Sequence, residues 1–291
     1  MVVKEVIMKL CCGTNLYASH PLETALREIS ARGIEAVDLW ASPTLCDHIS
    51  PDRDDPEYVR DLLEKYNLRA VSLTAFLITK EERIRRMEFA ASLGIPVVIW
   101  EPAHSVDWKA NMLNLKEGSI PFGDEGGGMN EYFGLISEYL DIAKSLGIKI
   151  GIEVPHRYTL NEYLYQIWRM RQAVQDPSLC YIIAPPHADA RGYSAMDVLD
   201  MTGTGASYML YLWDVKKDFS FPSSDGAFGS GEEQMPGGGG RDFSAMISYF
   251  REKGFDGWYN ISCHGVEGWT DIGKMGKCLD KAVSVARKAL A

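Results

Sequence analysis

The chain has 291 residues, 46% hydrophobic and 24% charged, enough to bury a substantial core in one large domain or two small ones. Its 30 basic and 40 acidic side chains leave a formal net charge of -10, which repels a phosphate backbone and removes the attraction behind most nucleic-acid binding. No apolar run reaches the roughly 18 residues of a membrane span, so neither nucleic acid nor membrane is an expected partner and a small polar molecule is.

The opening segment MVVKEVIMKLCC interrupts its apolar residues with Lys4, Glu5 and Lys9, which suits a first strand over 7–12 and does not suit a signal peptide. The turn after it, Gly13-Thr14-Asn15-Leu16, lacks the GxGxxG spacing of a dinucleotide site. Apolar spacing and end signals then predict helix 21–32, strand 35–40, helix 56–66, strand 69–73, helix 80–93 and strand 96–101. The second half continues with helix 129–146, strand 148–153, helix 159–175, strand 179–184, helix 194–201, strand 206–213, helix 242–253, strand 257–262 and helix 272–289. One joint recurs: a helix end, a left-handed stop at Gly33, Asn67, Gly94, Gly147 or Gly254, then a short apolar strand. Strict alternation of eight strands and eight helices predicts an α/β protein, a single (β/α)8 barrel over residues 1–291, in preference to a doubly wound open sheet.

Two long βα loops, 102–128 after strand four and 214–241 after strand seven, lie in a barrel over the C-terminal mouth, where active sites are built. Their glycine runs, Gly126-Gly127-Gly128 and Gly237-Gly238-Gly239-Gly240, are expected to form a lid or substrate wall, or simply flexible surface. A phosphate cradle from the four glycines is the weaker reading, because no helix start followed by Lys and Ser/Thr supports one. The six cysteines show no CxxC pair and no dense spacing, so they read as reduced, mostly buried thiols and favour a cytoplasmic address.

A polar residue at the last inward position of a barrel strand reaches the mouth. Glu153 ends strand five after the run Ile148-Lys149-Ile150-Gly151-Ile152, where folding gives little reason for a carboxylate. Glu101 ends strand four in the same way, His156 follows Glu153 by three residues, and Asp38 is expected to point outward. Trp40, Phe76, Trp100, Tyr211 and Trp213 sit near strand ends, where aromatic faces suit stacking on a sugar or an aglycone and also suit a core.

The segments Gly151-Ile152-Glu153, Ala184-Pro185-Pro186-His187, Leu210-Tyr211-Leu212-Trp213-Asp214, Pro236-Gly237-Gly238-Gly239-Gly240-Arg241-Asp242-Phe243 and Phe255-Asp256-Gly257-Trp258-Tyr259 together resemble the xylose isomerase-like barrels. That family includes sugar and sugar-phosphate isomerases and epimerases and, more remotely, apurinic endonucleases, the last disfavoured here by the acidic charge. The resemblance implies a divalent metal held by a Glu on strand five, an Asp opening D-P-x-H on strand six, a His opening H-x-K-D on strand seven and a Glu closing strand eight. The matching positions here are Glu153, Ala184, Tyr211 and Ser262, so one ligand of four survives. Three carboxylates fall to one, and a hard dication in the ordinary place loses most of its ligand charge. The outer ring of the motif persists as His187, Asp214 and Lys217, with Lys standing where relatives often carry a substrate-binding Arg.

The resemblance therefore implies an isomerase or epimerase acting on a sugar or keto-sugar by proton abstraction next to a carbonyl, with an eroded or rearranged metal site. Glu153 and His187 are expected to be catalytic, and Glu101, His156, Tyr211, Asp214, Lys217 and Trp100 to bind substrate. No cofactor is assigned; a divalent Mn, Zn or Mg, if bound, is expected on Glu153, His187, Asp214 and His264. The alternatives are a metal-independent lyase or deglycosylase acting on an oxidised sugar, and a non-catalytic barrel serving a partner. Association as a homo-oligomer or with a partner subunit is fixed by no sequence feature.

Overall fold

The computed structural model describes residues 9–76, 78–100, 127–156, 163–219 and 228–291. The joints take the conformation their role requires. Gly33, Gly94, Gly147 and Gly254 have φ between +67° and +83°, and Asn67 takes +51° as the one non-glycine stop. Each stop turns the chain from a helix into a parallel strand, and the strands β1 (Leu10–Gly13), β2 (Ala36–Trp40), β3 (Arg69–Thr74), β4 (Val97–Trp100), β5 (Lys149–Val154), β6 (Leu179–Ile183), β7 (Ser207–Tyr211) and β8 (Trp258–Ile261) follow. They close in sequence order, with β1 paired to both β2 and β8, so the predicted (β/α)8 barrel is the observed one.

The helices are α1 (Leu22–Ser30), α2 (Pro56–Lys65), α3 (Lys80–Ser92), α4 (Gly127–Leu146), α5 (Leu164–Ala173), α6 (Pro185–Asp189), α7 (Ala195–Thr202), α8 (Gly231–Gln234), α9 (Phe243–Glu252) and α10 (Ile272–Leu290). Their starts carry the chemistry that satisfies free amides. The Asp55 side chain accepts from Glu57 N ahead of Pro56, and Thr79 and Glu82 form a reciprocal capping box. α1 buries Leu22, Ala25, Leu26 and Ile29 at i, i+3, i+4 and i+7, the spacing that lays one apolar stripe on the sheet. Each Leu or Ile among them, fully buried, contributes about 1.5–3 kcal/mol. Two short helices depart from the predicted plan: α6 begins directly after β6, and α8 lies inside the long connection after β7.

Strand parity separates an outer layer from an inner one. Trp100 faces outward, with its ring 5.4 Å from Tyr139 of α4 and the Arg83 guanidinium 5.5 Å away. Asp38 faces inward, contrary to the expected outward direction. The β2 to β3 register shifts between Val37 and Asp38, and the Asp38 carboxylate accepts from Ser72 Oγ (2.7 Å), Thr74 Oγ1 (2.8 Å), Trp40 Nε1 (3.1 Å) and Asn260 Nδ2 (3.2 Å). Four donors make a buried carboxylate tolerable inside the barrel.

Candidate active site

At the mouth, the last inward position of β5 is Glu153, 1% exposed. Its Oε1 lies 3.4 Å from His187 Nε2 and 4.0 Å from His156 Nε2. Its Oε2 is buried and has no hydrogen-bond partner among the described residues. Burial raises the carboxyl above the usual range, and His156 and His264 act in the opposite direction.

The two imidazoles reach Glu153 by different routes. His187 sits on α6, where Pro185 and Pro186 start a helix immediately beyond β6 and swing the ring back over the mouth. His156 comes from the segment after β5, three residues beyond Glu153, and the two rings lie 5.0 Å apart at 36°. Aromatic edges hold them: Trp213 and Phe228 each stand 5.4 Å from His187, and Phe76 stands 6.1 Å from His156. On the far side, His264 pairs through Nδ1 with Glu267 and lies between Trp40 (5.6 Å) and Trp213 (5.1 Å). Desolvation alone would depress His264, but Glu267 and Glu153 more than reverse this, and its pKa is raised. Beneath the mouth, the Tyr211 hydroxyl is buried beside the Thr74 side chain. Burial, with the charges of Glu153 and Asp38, holds its phenol well above the usual value.

The family model for xylose isomerase-like TIM barrels matches residues 26–277. The chain belongs to that family. Among solved structures it is similar to a D-tagatose 3-epimerase-like protein (16% identity, 98% of this chain and 100% of that one, TM-score 0.67). It is similar also to a xylose isomerase domain containing protein from Salmonella typhimurium LT2 (14%, 96% and 97%, 0.71) and to a probable 3-DHS dehydratase from Bacillus anthracis (12%, 96% and 98%, 0.69). At these identities the likeness concerns the fold. A comparison with curated protein sequences finds no match.

The residues at the usual metal position of the xylose isomerase-like barrels do not fit the ion. Ala184 offers a methyl group, and Ser262 donates its hydroxyl to Asn15 Oδ1 at 3.1 Å. Tyr211 keeps its proton at neutral pH. Glu153 alone of the four could ligate there.

Of the residues expected at the site, Glu153, His156 and His187 come together, and Tyr211 lies below them. Trp100 does not belong: both faces of β4 are buried, and it occupies the outer one. Asp214 is not turned to the mouth either. Its carboxylate accepts from the backbone N–H of Val215 (2.9 Å), Gly237 (3.1 Å), Gly239 (3.1 Å) and Arg241 (2.9 Å), so it shapes the glycine arch. A Cβ on Gly239 would meet Val215 O at 1.9 Å, which explains a glycine there. That geometry also removes Asp214 from the expected metal set, and His264, turned to Glu267, does not join the cluster. Lys217 is exposed and lines an open groove of about 320 Å³ with Asp189, Tyr193 and Arg241, outside the Glu153 cluster. Arg241 pairs with Asp189 and donates from Nε to Trp213 O at 3.0 Å, tying α6 to the exit of β7. Glu101 lies outside the described residues, as do most of the expected loop 102–128 and the first part of the expected helix 159–175. Phe228, Glu267, Ser72 and Asn260 carried no signal in the sequence. Each is one polar or aromatic residue whose neighbours come from distant strands.

Proposed function

We propose that this barrel is a sugar-modifying enzyme that moves a proton on carbon next to the carbonyl of a keto-sugar. The observation that supports this reading is the divided environment of Glu153: Oε1 faces two imidazoles, while Oε2 is buried without a partner. Oε2 is the base, and burial makes it a stronger one than an exposed carboxylate. As the proton leaves, negative charge develops on the carbonyl oxygen. The imidazoles of His187 and His156, beside Oε1, and the Tyr211 hydroxyl, which remains protonated, would stabilise that oxygen by hydrogen bonding. Trp40, Phe76 and Trp213 are buried around the cluster, and Phe228, partly exposed, is the aromatic ring suited to the C–H face of a sugar. Delivery of a proton to the opposite face of the same carbon gives epimerisation, and delivery to the neighbouring carbon gives isomerisation. The epimerase names among the structural relatives agree with that class of substrate.

Elimination from an oxidised sugar would open with the same abstraction, and product analysis separates the two outcomes. The test is solvent exchange. The protein, incubated in D2O with a panel of ketohexoses and 3-keto sugars, is expected to place deuterium next to the carbonyl of at least one. Glu153→Gln is expected to slow that exchange by about 10²-fold or more. Exchange equal in the wild type and Glu153→Gln, or none with any member of the panel, overturns the proposal.

A further inference from the structure

The misfit at the family's usual ion position stands beside a second set of donors that the same strands bring together. One carboxylate oxygen and two imidazole nitrogens, from Glu153, His156 and His187, lie within 4.8 Å of one another. Bound at about 2.0–2.2 Å, tetrahedral ligands around zinc stand roughly 3.4 Å apart. The Glu153 to His187 separation already has that value, and the Glu153 to His156 separation of 4.0 Å exceeds it by little. The ring of His156 is partly exposed at the mouth, so a small side-chain rotation closes the triangle.

We propose that Glu153, His156 and His187 form a binding site for a transition-metal dication of the zinc class, displaced from the family's usual ion position toward the β5 and β6 side of the mouth. The donor set selects the ion. Two neutral imidazoles and one carboxylate suit zinc, cobalt or manganese, whereas magnesium and calcium prefer oxygen ligands. Three protein ligands leave an open position, the arrangement of catalytic rather than structural zinc sites. The aromatic edges of Trp213 and Phe228 hold the His187 ring before an ion arrives, which leaves His156 to make the small adjustment. This inference does not rest on the proton-transfer reading.

The test is direct binding to the full chain. Protein stripped with chelator is titrated with Co2+, followed by its visible spectrum, and with Zn2+, followed by calorimetry. One equivalent is expected to bind in the micromolar range or tighter, with magnesium in large excess failing to displace it. His156→Ala and His187→Ala are expected to weaken binding by more than the roughly 10–100-fold that follows loss of an outer-shell partner. Ser262→Ala, at the family's usual position, is expected to leave binding unchanged. Circular dichroism and thermal unfolding confirm that each variant is folded, and His156, the more exposed of the two, serves as the safer substitution. No binding by the stripped wild type, or full binding by His156→Ala, overturns the proposal. Because binding is read without turnover, its failure and a failure of solvent exchange are distinguishable.

Discussion

Asp38 is the residue where physics departs most from sequence pattern. Burial raises its pKa from 3.8 to about 6, against the pull of four hydrogen-bond donors. The folded chain therefore binds this proton more tightly than the unfolded chain does. The associated stability is fully present below about pH 4 and is lost as pH rises through about 6. Comparing wild type with Asp38→Asn by denaturant unfolding isolates this group from the other titrating side chains. The wild type is expected to lose on the order of 3 kcal/mol relative to the variant between pH 4 and 7. The groups whose charges couple to Asp38 are Tyr211, Tyr208, Cys11, Cys12 and Cys46, all held protonated by burial across that range, so none reverses the sign. A flat difference between the two proteins would show that the donors hold Asp38 ionised throughout.

At the scale of elements, the connection after β7 is organised from a single point. Asp214 leaves the end of β7 and collects four backbone amides, three of them from the arch 237–241. Charge-assisted bonds of this kind are among the stronger ones, and removing a shared acceptor leaves every donor without its partner. Asp214→Ala is expected to cost on the order of 3 kcal/mol and to open the arch to protease, with Asp214→Asn intermediate. Limited proteolysis and urea unfolding of the same samples check both statements. The PGGGGR segment was visible in the sequence as a glycine run, but its bonding was not, because a carboxylate that accepts backbone amides needs no particular side chains opposite it.

For the whole molecule, the recurring glycine joints and the strand count made the barrel readable, while the direction of individual side chains was partly hidden. Glu153 could be read because a carboxylate ends an apolar run. Trp100 and Asp38 could not, because strands covered on both faces carry no alternation of polar and apolar residues from which to infer a phase. The register shift at Val37 and Asp38 removed what phase remained. His187 was readable only through the resemblance carried by its neighbours. A test at this scale uses Trp100, now assigned to the layer between strand and helix. Trp100→Ala is expected to destabilise the protein by about 3–5 kcal/mol while leaving cobalt binding at Glu153 unchanged in stoichiometry. Thermal melts and metal titration read the two effects separately. The column running from Asp38 through Tyr211 to Glu153 has a consequence for how such a scaffold can change. An axis furnished with hydroxyls, amides and acids contributes modestly to cohesion, which resides one strand thickness away, under the helices. Alternate positions along a single strand thus answer to different demands, and a new reaction can be written into the inner set while the outer set keeps the protein folded.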